Sequence, residues 1–340
     1  MKKAIGMLAF FAIIVMSFVA ATPAAAVGTL VAIAPLATQK AVFLNSLQEE
    51  YEKIDTWLNE AQDLSSFVTD AQTLMFPEGG ADPAVYKNRT TDVDSVEPME
   101  SVYKEDLDVF DSQNYKLRNI YLHALPYDKI QYYTEKSAKS IMKQVVKEAA
   151  YNMMPHEILE NDKRIALAAT GAAKNGRKTF VLDDIKALAE RADAKEFPED
   201  NRILVLPSDM WWSLVNSNEI LEGQIKYQQS VGIIKPSAIE YWGIQIRKSS
   251  GEDKLGLRWD VSSNKRAAQD AVLSSTVAPC ALFFCSEAVY RADGEFSMFY
   301  TSRYNNPTGR AEEFGFQHRQ KSGVRTTDQK YTGVIYLPNA

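Results

Sequence analysis

The stretch that most constrains the fold runs from Gln131 to Met153, QYYTEKSAKSIMKQVVKEAAYNM. Its apolar residues recur at Ala138, Ile141, Met142, Val145, Val146, Ala149, Ala150 and Met153, the three-and-four spacing of a single helical stripe. Lys136, Lys139, Lys143 and Lys147 occupy the other side with Glu135 and Glu148, and no glycine or proline interrupts the run. Pro155 ends it by withholding an amide donor and crowding the preceding turn. At 1.5 Å rise per residue the helix spans roughly 33 Å, the width of a domain. A stripe that long needs an equally long apolar surface to lie on, and the strand-rich chain after it can supply one.

With 340 residues, 46% hydrophobic and 24% charged, the chain can bury one elaborate core or two ordinary ones. A formal net charge of −6 argues against a surface built for tight nucleic-acid binding, although the lysines of the helix form a local basic stripe. Cys280 and Cys285 lie five apart in one apolar run and so point to opposite faces of a strand, which disfavours a disulfide between them.

The first twenty-six residues have the pattern of a signal peptide: Lys2 and Lys3, an apolar run from Ile5 to Ala20, and Ala24-Ala25-Ala26 before Val27. From Gln39 to Phe67 a helical pattern follows, with Leu44, Leu47, Tyr51, Ile54, Leu58 and Ala61 as the narrow seam of an amphipathic helix or a short coiled coil. Between Met75 and Pro98 prolines and paired glycines predict an extended arm. Alternation from Met99 to Leu125, with Asp111-Ser112-Gln113-Asn114 as a polar turn, predicts a long hairpin with little core of its own. Beyond the long helix the pattern gives a helix over Asp183–Ala194, a buried strand over Arg202–Leu206, and a helix from Ser208 to Val215 carrying Trp211-Trp212 as a core anchor. Strands are expected at Ile239–Arg247, Leu255–Trp259, Ala281–Val289 and Glu295–Tyr300, and two closing strands around a polar turn at Lys321–Asp328.

Catalytic signatures fail on inspection. Gly171-Ala-Ala-Lys-Asn-Gly176 imitates a phosphate loop, but Arg177 stands where the loop needs its lysine, so a plain Gly/Asn turn accounts for it. Ser140-Ile141-Met142-Lys143 fits S-x-x-K without the S-D-N and K-T-G partners that an acyl-enzyme requires. No metal-ligand or nucleophile motif stands out, and neither cofactor nor small-molecule substrate is expected.

The order of elements says more than any motif. Gly80-Ala81-Asp82-Pro83-Ala84-Val85 with Asn88, Arg89, Thr90 and Thr91, then Leu125-Pro126-Tyr127-Asp128-Lys129, then Asp200-Asn201-Arg202-Ile203-Leu204-Val205-Leu206, and the closing Phe314-Gly-Phe through Arg325-Thr-Thr-Asp-Gln-Lys-Tyr-Thr-Gly carry a resemblance. Over roughly Gln39 to Leu337 the chain resembles the major capsid proteins of tailed bacteriophages, most of all those of phages infecting gut Bacteroidetes.

The resemblance implies an α+β fold with an apolar N-terminal segment over 1–38, an N-terminal arm over 39–98 and an extended hairpin loop over 99–130. A peripheral-domain spine helix over 131–165, an axial domain over 166–278 and terminal strands of the peripheral domain over 279–340 would follow. It implies a non-enzymatic virion protein that self-assembles in the host cytoplasm into hexamers and pentamers of an icosahedral shell. Portal and scaffold or protease proteins would be partners, and packaged double-stranded DNA would be contacted weakly. Subunit contacts are then expected at Leu44, Tyr51, Leu58, Tyr103, Tyr115, Leu117, Arg118 and Tyr121, and the DNA-facing lysines at Lys136, Lys139, Lys143 and Lys147. Two other readings stay open: a shell of the encapsulin type, and an exported binding protein or hydrolase that takes the signal-like start at face value.

Overall fold

The long helix forms as α1, Lys129–Met153, in a computed structural model that describes residues 57–78, 85, 87–88, 101–118, 129–159, 162–217, 238–249, 255–301, 305, 311–325 and 330–340. All of these belong to the unit Ala41–Ala340; the signal-like segment lies outside them. Every position of the expected stripe from Ala138 to Met153 is buried. Two further helices follow, α2 (Leu182–Ala194) and α3 (Ser208–Ser217), close to the limits their spacing predicts.

The strands before α1 are β1 (Gln62–Asp63), β2 (Val68–Thr69), β3 (Thr73–Glu78), β4 (Ser101–Asp106), β5 (Asp108–Asp111) and β6 (Tyr115–Arg118). After it come β7 (Ile165–Ala168), β8 (Ala173–Lys174), β9 (Arg177–Lys178), β10 (Arg202–Leu206), β11 (Ala238–Tyr241) and β12 (Ile244–Lys248). The last are β13 (Arg258–Asp260), β14 (Lys265–Arg266), β15 (Val277–Cys285), β16 (Val289–Thr301), β17 (Ala311–Val324) and β18 (Thr332–Tyr336).

A large mixed sheet turns on β15, which pairs with β13 along Val277–Pro279, with β10 along Leu282–Cys285 and with β18 along Cys280–Phe284. Strands β12 and β11 extend it beyond β10, and β7 joins parallel to β18. Runs such as residues 203–206 are apolar at successive positions because both faces of this sheet are covered. Ile203, Val205, Cys280, Leu282 and Phe284 face the core that holds the α1 stripe. Leu204, Leu206, Ala281, Phe283 and Cys285 face the core made with α2 and α3, where Ile185, Leu188, Trp211 and Leu214 are buried. The two cysteines therefore lie on opposite faces, both free and buried.

The second sheet runs β1-β16-β17-β5, with β6 also on β17. Phe314 and Phe316 of β17 join the α1 core. One short connection links the two sheets: β15 ends at Cys285, a single 3-10 turn covers Ser286–Ala288, and β16 begins at Val289. That turn is held from three directions. The Ser286 amide donates to the Asn201 carbonyl at 3.1 Å, its hydroxyl donates to the Glu60 carbonyl, and the Arg325 amide donates to the Ala288 carbonyl at 2.7 Å.

Several expectations give way. The hairpin across Asp111–Asn114 does not form: β5 and β6 both pair antiparallel with β17, Asp111 opposite Gln317 and Tyr115 opposite Phe314. Four steps on one side against three on the other make a bulge, not a turn. The Ser112 amide donates to the Phe316 carbonyl at 2.8 Å and the Phe316 amide donates to Ser112 Oγ at 2.9 Å, which keeps the ladder satisfied through it. The antiparallel hairpin of this region is instead β3 with β4, Thr73 opposite Asp106 through Glu78 opposite Ser101. Pro77 is tolerated there because β2 pairs with β3 only at Thr73 and Leu74, leaving the Pro77 edge without a ladder.

The helical pattern does not run through to Phe67. A 3-10 turn at Trp57–Glu60 is followed by β1, and Trp57 and Leu58 bury in the α1 core. The closing strands β17 and β18 belong to different sheets, because Lys321 continues β17 rather than opening a turn. Ile239–Arg247 is broken into β11 and β12 by Trp242 and Gly243, both at positive φ (47° and 71°), the signature of a tight hairpin turn. Asn175 and Gly176 (φ 53° and 77°) make the same kind of turn between β8 and β9. That accounts for the imitation phosphate loop.

Candidate assembly surfaces

Among the described residues the β3–β4 hairpin packs at its base. Leu74 and Phe76 bury with Leu64, Leu107, Tyr290 and Ala292, and the rings of Phe76, Tyr103 and Tyr290 meet in tilted and edge-to-face contacts at centroid distances of 5.0 to 6.3 Å. Val102, by contrast, is 69% exposed. A polar knot sits beside the aromatic one. Tyr103 donates its hydroxyl to Glu105, and Lys321 Nζ lies 2.9 Å from Glu105 Oε1 and 3.3 Å from Asp108 Oδ2.

Burial alone would raise the Glu105 carboxyl, but the hydrogen bonds from Tyr103 and Lys321 hold it below its ordinary value. Burial pulls the Lys321 ammonium down, and Glu105 and Asp108 more than reverse this and carry it up. The Tyr290 hydroxyl is raised, first by burial and then by Tyr103 and Glu105. Sequence reading missed Tyr290, Glu105 and Lys321 because their meeting depends on β17 passing beside the hairpin base. The only available signal is the placement of two acids, Glu105 and Asp108, around Leu107.

Of the expected contact residues, Leu58 and Leu117 are buried inside the subunit, leaving no side-chain surface for a neighbour. Adjacent to buried partners of their own, they fill the α1 core. Tyr103 is half-buried in the hairpin base, and Tyr115 is half-buried with its ring 4.6 Å from Tyr133 and 5.7 Å from Phe314. Arg118 pairs through its backbone with Ala311. Leu44, Tyr51 and Tyr121 lie outside the described residues.

Lys136, Lys139 and Lys143 stand exposed along α1 as the spacing predicts. Lys147 departs from the row. It is ion-paired to Asp270, and Gln269 Nε2 donates to its carbonyl at 2.9 Å. One helical turn further on, the Arg266 guanidinium covers the Tyr151 ring at 4.1 Å and donates to the Tyr151 carbonyl at 2.8 Å. The segment before β15 thus wraps the last turns of the helix, and the solvent-facing basic stripe is shorter than expected. Among the described residues no group of acids, histidines and cysteines is placed to hold a metal ion, and no helix is long and apolar enough to cross a membrane.

No protein-family model matches the chain, and no curated protein matches it. Solved structures do. The capsid of Ralstonia phage GP4 superposes with a TM-score of 0.55 at 13% identity, covering 84% of this chain and 89% of that one. The capsid of cyanophage P-SCSP1u gives 0.52 at 15% identity, covering 83% and 87%. The head of Helicobacter pylori bacteriophage KHP40 gives 0.52 at 11% identity, covering 82% and 88%. At such identities the likeness speaks for backbone architecture, and it spans nearly the whole length of both partners. The chain has the α+β fold of tailed-phage capsid proteins.

Proposed function

We propose that this chain is the major capsid protein of a tailed bacteriophage, closing through hexamers and pentamers into an icosahedral shell around double-stranded DNA. The observation that carries this reading is the match to phage capsids over 82–84% of this chain and 87–89% of theirs. The hairpin supports it, since a two-stranded ribbon is only marginally stable in isolation and gains from lying on a second surface, and Val102 on β4 is exposed.

In this reading the extended loop is built on the β3–β4 hairpin, earlier in the chain than the sequence suggests. The axial domain is the large sheet with α2 and α3; the peripheral domain is α1 with the β16–β17 sheet. Leu44, Tyr51, Arg118 and Tyr121 remain the proposed contacts to neighbours, whereas Leu58, Tyr103, Tyr115 and Leu117 serve the subunit's own core. Lys136, Lys139 and Lys143 face the DNA through weak, salt-sensitive contacts. Portal and scaffold or protease proteins complete assembly in the host cytoplasm, and the source is a phage of gut Bacteroidetes.

The test is to express the full chain and examine its size by gel filtration and negative-stain microscopy. Closed shells or ring-shaped capsomers are expected. A clipped monomer recovered from an exported fraction would overturn the reading, and shells that hold a protein cargo instead of nuclease-protected DNA would replace it with an encapsulin-type compartment.

A further inference from the structure

A cleft of about 470 Å³ opens between the β8–β9 turn, α3 and the chain leading into β13. Among the described residues its walls carry the cations Lys174, Arg177, Lys178 and Arg258 against one carboxylate, Asp209. For a chain with a net charge of −6 this is a strong local reversal of sign.

The two arginines are held in place by neutral oxygens alone. Arg177 donates from Nη1 to the Leu337 carbonyl at 3.1 Å and from Nη2 to the carbonyls of Ser274 and Val277 at 2.8 and 3.1 Å. Arg258 donates from Nε to the Ala271 carbonyl at 3.1 Å and from Nη1 to the Leu257 carbonyl at 2.9 Å. Among the described residues neither guanidinium has a carboxylate partner, and Arg258 Nη2 has no acceptor. Carbonyls fix the orientation of the two forks without cancelling their charge. Burial lowers the Arg177 guanidinium from its ordinary value, and the neighbouring Arg258 charge acts in the same direction. Two oriented, mutually repelling guanidiniums at a cleft wall gain most from a multiply charged oxyanion, which accepts from both at once.

The remainder of the cleft is too large and too apolar for a bare ion. Leu255 and Leu257 lie in its floor, and the Trp212 indole is 54% exposed at its side with Lys248 Nζ 4.9 Å from the ring centre. The volume falls in the range of sites that enclose small organic ligands. We propose that this cleft binds an organic phosphate, its phosphate group on Arg177 and Arg258 and a flat apolar body against Trp212.

Titration calorimetry on the full-length protein tests this, with AMP, adenosine, inorganic phosphate and a ten-residue oligothymidine as probes. Saturable AMP binding is expected, with adenosine and inorganic phosphate each at least tenfold weaker. Arg258→Gln should weaken AMP tenfold or more, Trp212→Leu should narrow the gap between AMP and inorganic phosphate, and Lys186→Gln on the exposed side of α2 should change neither. Trp212 is exposed, so its substitution reports on the site even if the arginine variant folds poorly. Absence of saturable AMP binding, or equal affinity for AMP and inorganic phosphate, would overturn the proposal. So would retention of the oligothymidine alone, abolished by salt and indifferent to Arg258→Gln, which marks general attraction for polyanions.

Discussion

Arg202 is a charged residue in a fully buried strand, 3% exposed. Its fork closes the turn between α2 and β10, donating to the Pro198 and Phe197 carbonyls at 2.7 and 2.9 Å and to Asp193 Oδ1 at 2.7 Å. Arg202→Met keeps the volume and strips two buried carbonyls of their donor, so a loss of about 2–4 kcal/mol in urea unfolding is expected. Glu105 and Lys321 act through pH. Because Glu105 is lowered from 4.5 in the folded protein, its contribution is complete above that value and disappears as pH falls through the lower folded one. Lys321 is raised from 10.5, so its share is complete below 10.5 and lost as pH climbs through the higher folded value. The hairpin base is therefore firm across the neutral range, and Glu105→Gln should flatten the acid limb of a plot of Tm against pH. Single-residue periodicity made the opposite faces of Cys280 and Cys285 legible in advance. It misjudged Trp212, whose partner Trp211 alone is core, because the buried arc of α3 is set by Met210, Trp211, Leu214 and Val215 and Trp212 falls beyond its edge.

Among the elements, α1, α2 and α3 were legible because helical periodicity is local. The bulge between β5 and β6 was not, since a polar tetrad such as Asp111–Asn114 signals a turn and a bulge alike, and only the distant β17 decides between them. The pairing makes an unusual deletion experiment informative. Removing Gln113 equalises the steps on the two strands and leaves Tyr115 and Leu117 facing inward, so it should cost under about 1 kcal/mol in denaturant unfolding. Removing Lys116 instead shifts Leu117 to the solvent face, and a loss of about 3 kcal/mol is expected from emptying that core position. Equal losses for the two deletions would mean that the bulge itself supports the sheet.

For the molecule as a whole, the sequence conveyed the succession of helix, strands and hairpin, and with it the fold class. It could not convey which strands share a sheet, and hence that β15 and β18 complete the sheet begun by β7 and β10. The assembly residues were the least legible, because an alternating Tyr115 or Leu117 reads the same whether it buries against its own helix or against a neighbour. Cys280 and Cys285, on opposite faces of β15, make a paired probe of global opening. Burial pushes the Cys285 thiol up to about 12 and raises Cys280 as well, so neither presents a thiolate near pH 8 while folded. Labelling by a thiol reagent should follow unfolding, and single Cys→Ser variants should label at matching rates if both faces of the sheet open together.

The Ser286–Ala288 turn has a mechanical consequence. Both sheets are threaded by one backbone run, Val277 to Thr301, whose three-residue joint is stapled by Asn201, Glu60 and Arg325. Such a joint has no swivel, so the subunit behaves as a stiff tile. If these tiles close into a shell, the difference in curvature between five-fold and six-fold positions has to be absorbed at the seams between tiles and not by flexing within them.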